Sequence, residues 1–168
     1  YKQSELRDLV RYAQSLGITI VPEYELPGHS LGTLAPYYQY SCRQQPLEVA
    51  HRWGSAADVF CAGNDEAISF LEQVFEEIFD IFPSKLVHVG ADEVNQARWK
   101  ACDKCKARLA SLNSTSFNAL EGWMISHFSD YFQKHGRRLI GWGEIIKGKP
   151  SKDAIVMNWQ GIQAAVEA

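Results

Sequence analysis

The chain has 168 residues, of which 46% are apolar and 22% are charged, and its formal net charge at pH 7 is -3. This composition is typical of one globular domain with a sizeable core, and an acidic balance without a long basic stripe gives no support for nucleic-acid binding. No apolar run in the sequence approaches the roughly 18 residues needed to cross a bilayer, so we predict no membrane span.

The first third of the chain predicts a helix, a strand and a long connection. Apolar residues recur at helical spacing between Ser4 and Leu16, and Gly17 follows as a C-terminal stop. Residues 18–21 are β-branched throughout, which predicts a strand buried on both faces. A polar segment, residues 22–30, comes next, and from there to about residue 64 the connection is far longer than usual, which predicts a functional lid or a cleft wall.

The remainder of the chain continues the alternation of helices and strands. The predicted elements are a helix capped by Asp65 and broken by Pro83, a strand over residues 86–89, a polar stretch to about Thr115, a helix ending at Gly136, strands over 138–142 and 154–159, and a short helix from Ile162. This alternation predicts parallel strands joined by right-handed helical crossovers.

The fold class that this order predicts is α/β, with about four central βα units of a (β/α)8 TIM barrel. A complete barrel takes about 250 residues, so we expect residues 1–168 to be a fragment of a single TIM-barrel catalytic domain. An open flavodoxin-like sheet is the alternative. Its nucleotide site would show a Gly-rich turn after a strand, and no such motif occurs in the sequence.

Two adjacent carboxylates, Asp92 and Glu93, follow the strand over residues 86–89. In parallel α/β folds the loops that leave the carboxyl ends of the strands carry the active site. For both acids to serve one site the backbone must leave extended geometry near Gly90, because neighbouring residues of a strand point to opposite faces. The alternative is a helix that begins at Asp92, with two acids at its positive end.

Four cysteines in so short a chain favour an oxidising compartment, and hence a secreted, periplasmic or lysosomal protein. Three disulfide pairings exist, and we expect Cys42 to pair with Cys61 and Cys102 to pair with Cys105. A zinc site would need two further ligands at suitable spacing, and the sequence has no second C-x-x-C and no H-x-x-x-H. We therefore predict no metal and no cofactor.

Three predicted strand ends carry distinctive segments: PEYELPGHS at residues 22–30, HVGADE at 88–93 and LIGWGE at 139–144. Together these segments resemble the family 20 β-N-acetylhexosaminidases, and the resemblance covers essentially the whole chain in order. It implies a (β/α)8 catalytic domain, of which this chain would supply roughly the third to sixth βα units. Two residues depart from the family pattern, which usually has Asp where Glu25 stands and Gly where Ala91 stands.

The resemblance also implies an activity and residue roles. It implies hydrolysis of terminal β-linked GlcNAc or GalNAc from glycans or chitooligosaccharides, so the expected partner is an N-acetylhexosamine-terminated glycan; a homo-oligomer is also compatible with the sequence. Glu93 would be the general acid and base, and Asp92 would hold the 2-acetamido group of the substrate. His29 would be a polar residue of the site, and Trp142 and Trp159 would be two walls of its pocket.

Adjacent carboxylates also suggest a particular mechanism. An ordinary retaining glycosidase needs an acid and a nucleophile on opposite sides of the bond, and two acids on one loop do not readily bracket it. The resemblance implies that the acetamido oxygen of the substrate is the nucleophile instead. The alternatives are a metal-dependent barrel hydrolase using His29, His88 and Asp92, and a non-catalytic carbohydrate-binding or inactive fragment.

Other polar and aromatic residues receive structural interpretations. We assign His88 to a hydrogen-bonded position in the core. Three acids are assigned to structural roles at the barrel mouth: Glu23, Glu25 and Glu144. Three tryptophans are assigned to packing: Trp53, Trp99 and Trp123.

Overall fold

The computed structural model describes residues 1–51 and 54–167, which form a mixed α/β fold around a parallel sheet. Its elements in chain order are α1 (Gln3–Ser15), α2 (Leu31–Leu34), α3 (Asp65–Ile81), β1 (Leu86–His88), α4 (Ala97–Ala101), α5 (Asp103–Ser111), α6 (Asn118–Lys134), β2 (Arg138–Trp142), β3 (Ile155–Met157) and α7 (Ile162–Glu167). Two 3₁₀ turns, Tyr38–Tyr40 and Gly143–Gly148, complete the fold. The alternation predicted from the sequence is confirmed from α3 onward.

The three strands of the sheet are parallel and lie in the order β1, β2, β3. Val87 pairs with Leu139 across the first ladder, and Ile140 pairs with Ile155 across the second. The long helix α6 connects β1 to β2, as parallel pairing requires. All three carboxyl ends therefore lie at the same edge of the sheet, where the polar segments that follow the strands can meet.

The strand predicted at residues 18–21 is wrong in both position and burial. Ile18 is 54% exposed and Val21 is 40% exposed. The segment that lies along β1 begins at Pro22, whose carbonyl accepts the His88 N–H at 2.9 Å, and Glu23 forms a parallel bridge with His88. This register places residues 18–20 opposite residues 83–85, before β1 begins, so they have no strand to pair with there.

Helices α3 and α6 cover the sheet with an aromatic core. The Phe75 ring lies 4.7 Å from Phe132 and 5.4 Å from Phe128, centroid to centroid, and all three side chains are fully buried. Rings at these separations add to the stabilisation from buried apolar area. The cap of α3 differs from the prediction: the Asn64 side chain accepts the Glu66 N–H at 3.3 Å, so the helix is capped one residue before Asp65.

Helix α1 begins and ends within one residue of its predicted bounds, and its apolar face is partly uncovered. Val10 and Ala13 are buried, whereas Leu9 and Leu16 are more than half exposed. An ion pair of 2.5 Å between Arg7 and Asp80 joins α1 to α3. The exposed part of the face is therefore free to contact further structure.

The predicted disulfides are not confirmed, because the structure shows no bond between any two of the four cysteines. The measured sulfur pairs also cross the predicted ones: Cys42 lies 3.7 Å from Cys105, and Cys61 lies 3.7 Å from Cys102 and 3.6 Å from Cys105. The fold collects the sulfur atoms in one cluster, whereas the prediction treated the long loop and the C-x-x-C segment as separate.

Two of the three tryptophans assigned to packing lie in the interior or at its edge. Trp99 is fully buried and donates its indole N–H to the Phe60 carbonyl at 2.9 Å. Trp123 is half-buried, with the Arg108 guanidinium 4.2 Å above its ring. Trp53 lies outside the described residues. Among the helices described, none is long and apolar enough to cross a membrane.

Candidate active site

A cleft of about 770 Å³ opens where the strands end. Four acids and two indoles line it: Glu23, Glu25, Asp92, Glu93, Trp142 and Trp159. Trp142 is the last residue of β2, and Trp159 follows the end of β3 by two positions. The structure therefore brings four of the five predicted site residues to one cavity, at the sheet edge that the sequence indicated.

The backbone after β1 turns sharply and directs both acids to this cleft. Gly90, Ala91 and Glu93 all have positive φ angles, of 67°, 68° and 48°. The positive φ angle at Gly90 favours glycine, and a Cβ atom there would also displace the Glu25 carboxyl group. The departure from extended geometry near Gly90 is confirmed, and the alternative of a helix beginning at Asp92 is wrong, because the next helix, α4, begins at Ala97.

His29, the fifth predicted residue, lies against both carboxylates. Its Nε2 atom is 3.6 Å from Asp92 Oδ2 and 3.5 Å from Glu93 Oε2. The Glu93 side chain is 51% exposed and the Asp92 side chain is 22% exposed. The more exposed acid can therefore exchange protons with a substrate or with water, while the less exposed acid lies deeper in the same site.

Burial controls the protonation of two cleft acids. Burial raises the pKa of Asp92, whereas its own backbone N–H and His29 act in the opposite direction. Burial also raises the pKa of Glu25 to about 8, and the charges of Asp92 and Glu23 add to this effect. Glu25 is thus largely protonated at neutral pH, which removes one negative charge from the surroundings of Asp92.

Each indole of the cleft is held by a carboxylate. Trp142 donates its Nε1–H to Glu23 Oε1 at 3.2 Å, and the His88 ring lies against it with a centroid distance of 4.6 Å. Trp159 donates its Nε1–H to Glu144 Oε2 at 3.1 Å. Glu23 and Glu144, which the sequence analysis assigned to structural roles at the barrel mouth, therefore orient the two aromatic walls of the cleft.

His88 is a buried, hydrogen-bonded residue, as predicted. Its Nδ1 accepts the Gly90 N–H at 3.0 Å, and burial lowers its pKa, so the ring is neutral. A histidine that supports Trp142 and the turn at Gly90 has a positioning role. The metal-hydrolase alternative needed His88 beside His29 and Asp92, but the group that the described residues do place together consists of His29, Asp92 and Glu93.

Comparison with known proteins identifies the family. The model of the glycosyl hydrolase family 20 catalytic domain matches residues 1–168. A β-hexosaminidase of Porphyromonas gingivalis is 38% identical over 168 residues, which is 100% of this chain and 22% of that protein. The chain therefore spans less than a quarter of the length of that relative.

Solved structures agree with the sequence match. The chitobiase of Flavobacterium johnsoniae superposes with a TM-score of 0.89 at 30% identity, over 96% of this chain and 24% of that one. The exo-β-N-acetylglucosaminidase of Vibrio harveyi, solved in complex with N-acetylglucosamine, superposes with a TM-score of 0.80 at 32% identity, over 99% of this chain and 26% of that one. Since the family model covers the whole sequence, the chain belongs to glycosyl hydrolase family 20.

Proposed function

We propose that this chain carries the acid–base centre of an exo-β-N-acetylhexosaminidase, as the third to sixth βα units of a (β/α)8 barrel. The parallel sheet, the cleft at its carboxyl edge and the names of the relatives support this proposal. The substrates would be glycans or chitooligosaccharides that end in β-linked GlcNAc or GalNAc. The observation that carries the proposal is the carboxyl pair of Asp92 and Glu93 at a cleft walled by two oriented indoles.

The positions of the two acids favour a substrate-assisted reaction. Both carboxyl groups lie within 3.6 Å of the same His29 nitrogen, which places them on one side of the site. A protein nucleophile would have to lie across the sugar from the acid. In family 20 enzymes the substrate supplies the nucleophile instead, and this arrangement suits that chemistry.

The proposed reaction has two steps and retains the anomeric configuration. First, the acetamido oxygen attacks the anomeric carbon while the bond to the leaving oxygen breaks, and Glu93 gives that oxygen its proton. The product of this step is a cyclic oxazolinium ion. Second, water attacks the anomeric carbon, the ring opens to restore the acetamide, and Glu93 takes the proton of the water. Glu93 thus ends the cycle protonated, as it began.

Asp92 would act on the charge that develops in the first step. Its carboxylate would accept the amide N–H, hold the acetamido group in line with the anomeric carbon and stabilise the positive charge of the oxazolinium. A deep, partly buried carboxylate is effective here because the interaction is strong where water is excluded. Trp142 and Trp159 would contact the acetamido methyl group and the apolar face of the sugar.

The test is the Asp92→Asn variant of the intact protein that carries this chain, assayed on two chromogenic substrates. Turnover of the N-acetylglucosaminide should fall by about 100- to 1,000-fold, because a preorganised stabilising charge is lost. Residual turnover of the plain glucoside should change little, because it has no acetamide for Asp92 to bind. Equal losses on both substrates would refute the role of Asp92.

Glu93→Gln is the matched control, because both substrates need an acid for the leaving oxygen. It should reduce both turnover rates together. If the intact wild-type protein bound N-acetylglucosamine but did not hydrolyse either substrate, the alternative of a non-catalytic carbohydrate-binding protein would replace the proposal. The secreted, periplasmic or lysosomal location and the homo-oligomer remain predictions.

A further inference from the structure

The four cysteines form a single sulfur cluster outside the cleft. All four Sγ atoms lie within 4.8 Å of one another, and three of their separations are 3.6, 3.7 and 3.7 Å. A disulfide needs sulfur atoms about 2.0 Å apart. Four thiolates about 2.3 Å from a tetrahedral zinc ion lie about 3.8 Å from one another, so the observed spacing is that of a zinc–cysteine tetrahedron.

The pattern of contacts favours one shared ligand over two disulfides. Cys61 is equally close to Cys102 and to Cys105, and Cys105 is equally close to Cys61 and to Cys42. Cys61 and Cys105 thus each have two close sulfur neighbours, whereas a disulfide would join each of them to only one. A central ion, in contrast, accepts all four sulfurs at once, and Cys102 and Cys105 supply the C-x-x-C half of such a site.

The segments that carry the sulfurs are held together by their own backbone contacts. The Cys61 N–H donates to the Tyr40 carbonyl at 2.9 Å, next to the strand bridge between Ser41 and Phe60. A Cβ atom at Gly63 would overlap the backbone of Lys104, so the Cys61 loop and α5 touch main chain to main chain. The cluster therefore does not depend on the sulfur atoms alone for its geometry.

Burial and helix position also suit a closed metal site. Cys61 and Cys105 are buried, and Cys42 and Cys102 are half-buried. Cys102 is the N-cap residue of the nine-residue helix α5, and Cys105 lies in the first turn of this helix. Four protein ligands leave no open position on zinc, which is typical of structural rather than catalytic sites.

From this geometry we propose that Cys42, Cys61, Cys102 and Cys105 bind one structural zinc ion. The sequence offered only the C-x-x-C half of the site, and the fold supplies the other half from the long loop. The ion would tie the segments that carry Cys42 and Cys61 to α4 and α5, which follow the Asp92–Glu93 pair. The Phe60 N–H donates to the Pro27 carbonyl at 2.9 Å. Zinc binding at the neighbouring Cys61 would therefore also stabilise the loop that carries His29.

The first test is the metal content of the intact protein, purified without chelators, beside its Cys105→Ser variant. The wild type should contain about one more zinc ion per chain than the variant, since the remaining three ligands bind weakly. Ser111→Ala, at the other end of α5, is the matched control and should keep the wild-type zinc content. Equal zinc contents in the wild type and Cys105→Ser would overturn the proposal.

Two readouts remain decisive if Cys105→Ser fails to fold. Replacing the wild-type metal by Co²⁺ should give the intense visible absorption of tetrahedral cobalt thiolate. This band should weaken in the variant Cys42→Ser, whose substitution lies at a half-buried position. Alkylation and peptide mapping under non-reducing conditions should find all four cysteines reduced. Disulfide-linked peptides between these cysteines, or a reduced protein that takes up neither Zn²⁺ nor Co²⁺, would overturn the proposal.

Discussion

The raised pKa of Glu25 predicts a specific dependence of stability on pH. The carboxyl group has an ordinary pKa of 4.5 and a folded-state pKa of about 8, with burial as the largest cause. Between these values the folded state binds more protons than the unfolded state, so the free energy of unfolding falls as pH rises. Glu25→Gln copies the shape of the protonated acid and removes this titration. The variant should therefore gain stability relative to wild type as pH increases.

The magnitude follows from the size of the pKa difference. Each pKa unit corresponds to about 1.4 kcal/mol, which makes about 5 kcal/mol the upper bound for this group. Because Glu25 is only half-buried and the cleft admits water, we expect a gain on the order of 2 kcal/mol between about pH 5 and pH 9. Glu48→Gln, at an exposed loop carboxyl, is the matched control and should show no such trend.

The assay is urea unfolding of the intact protein at several pH values, with the midpoint and the slope both determined. At about pH 5 wild type and Glu25→Gln should be nearly equal in stability, and their difference should grow steadily toward pH 9. A difference that is constant across this range would refute the reasoning. It would mean that the Glu25 carboxyl group is ionised in the folded protein at neutral pH.

Three further predictions test individual contacts. His29→Gln removes a contact that lowers the pKa of Asp92, so the acidic limb of the kcat/KM profile should move to higher pH; an unmoved limb would contradict this role. Trp142→Phe loses the indole N–H bond that orients the cleft wall, and kcat/KM should fall by about tenfold, or about 1.4 kcal/mol; an unchanged value would show that this anchoring does not matter. Gly122→Ala would place a Cβ in overlap with the backbone carbonyl group of Gly148 in the 3₁₀ turn and should cost about 1–3 kcal/mol in urea unfolding. Gly32→Ala, which meets open space, should cost less, and equal costs would contradict the packing argument.

Periodic and strand-end signals predicted much of this fold. The apolar spacing of α3 and α6 and the β-branched run of β1 gave the central elements, because each of these patterns reflects burial on one local face. The position of Asp92 and Glu93 at a strand end predicted the sheet edge at which they lie. The position of these acids relative to the sheet can be predicted from local sequence, because a strand end and the side chains that follow it are neighbours along the chain.

Contacts between distant parts of the chain could not be predicted in this way. The cluster joins Cys42 to Cys105 across 63 positions, and no local spacing distinguishes such a contact from a disulfide within one loop. The bond from Trp142 to Glu23 spans 119 positions, so the acid that orients the indole was assigned only to the barrel mouth. Helix α5 lies in a stretch whose polar composition indicated no helix, because its exposed face is long and charged.

In the reaction proposed above, the acetamido oxygen of the substrate, held by Asp92, attacks the anomeric carbon while Glu93 protonates the leaving group. The most direct measurement is kcat/KM of the intact wild-type protein on a series of glucosaminides whose N-acetyl group carries zero, one, two or three fluorine atoms. Fluorine withdraws electrons from the amide oxygen, so the rate should fall with each added fluorine, by at least about tenfold over the series. A rate that does not depend on fluorination would contradict the account, because the nucleophile would then belong to the protein.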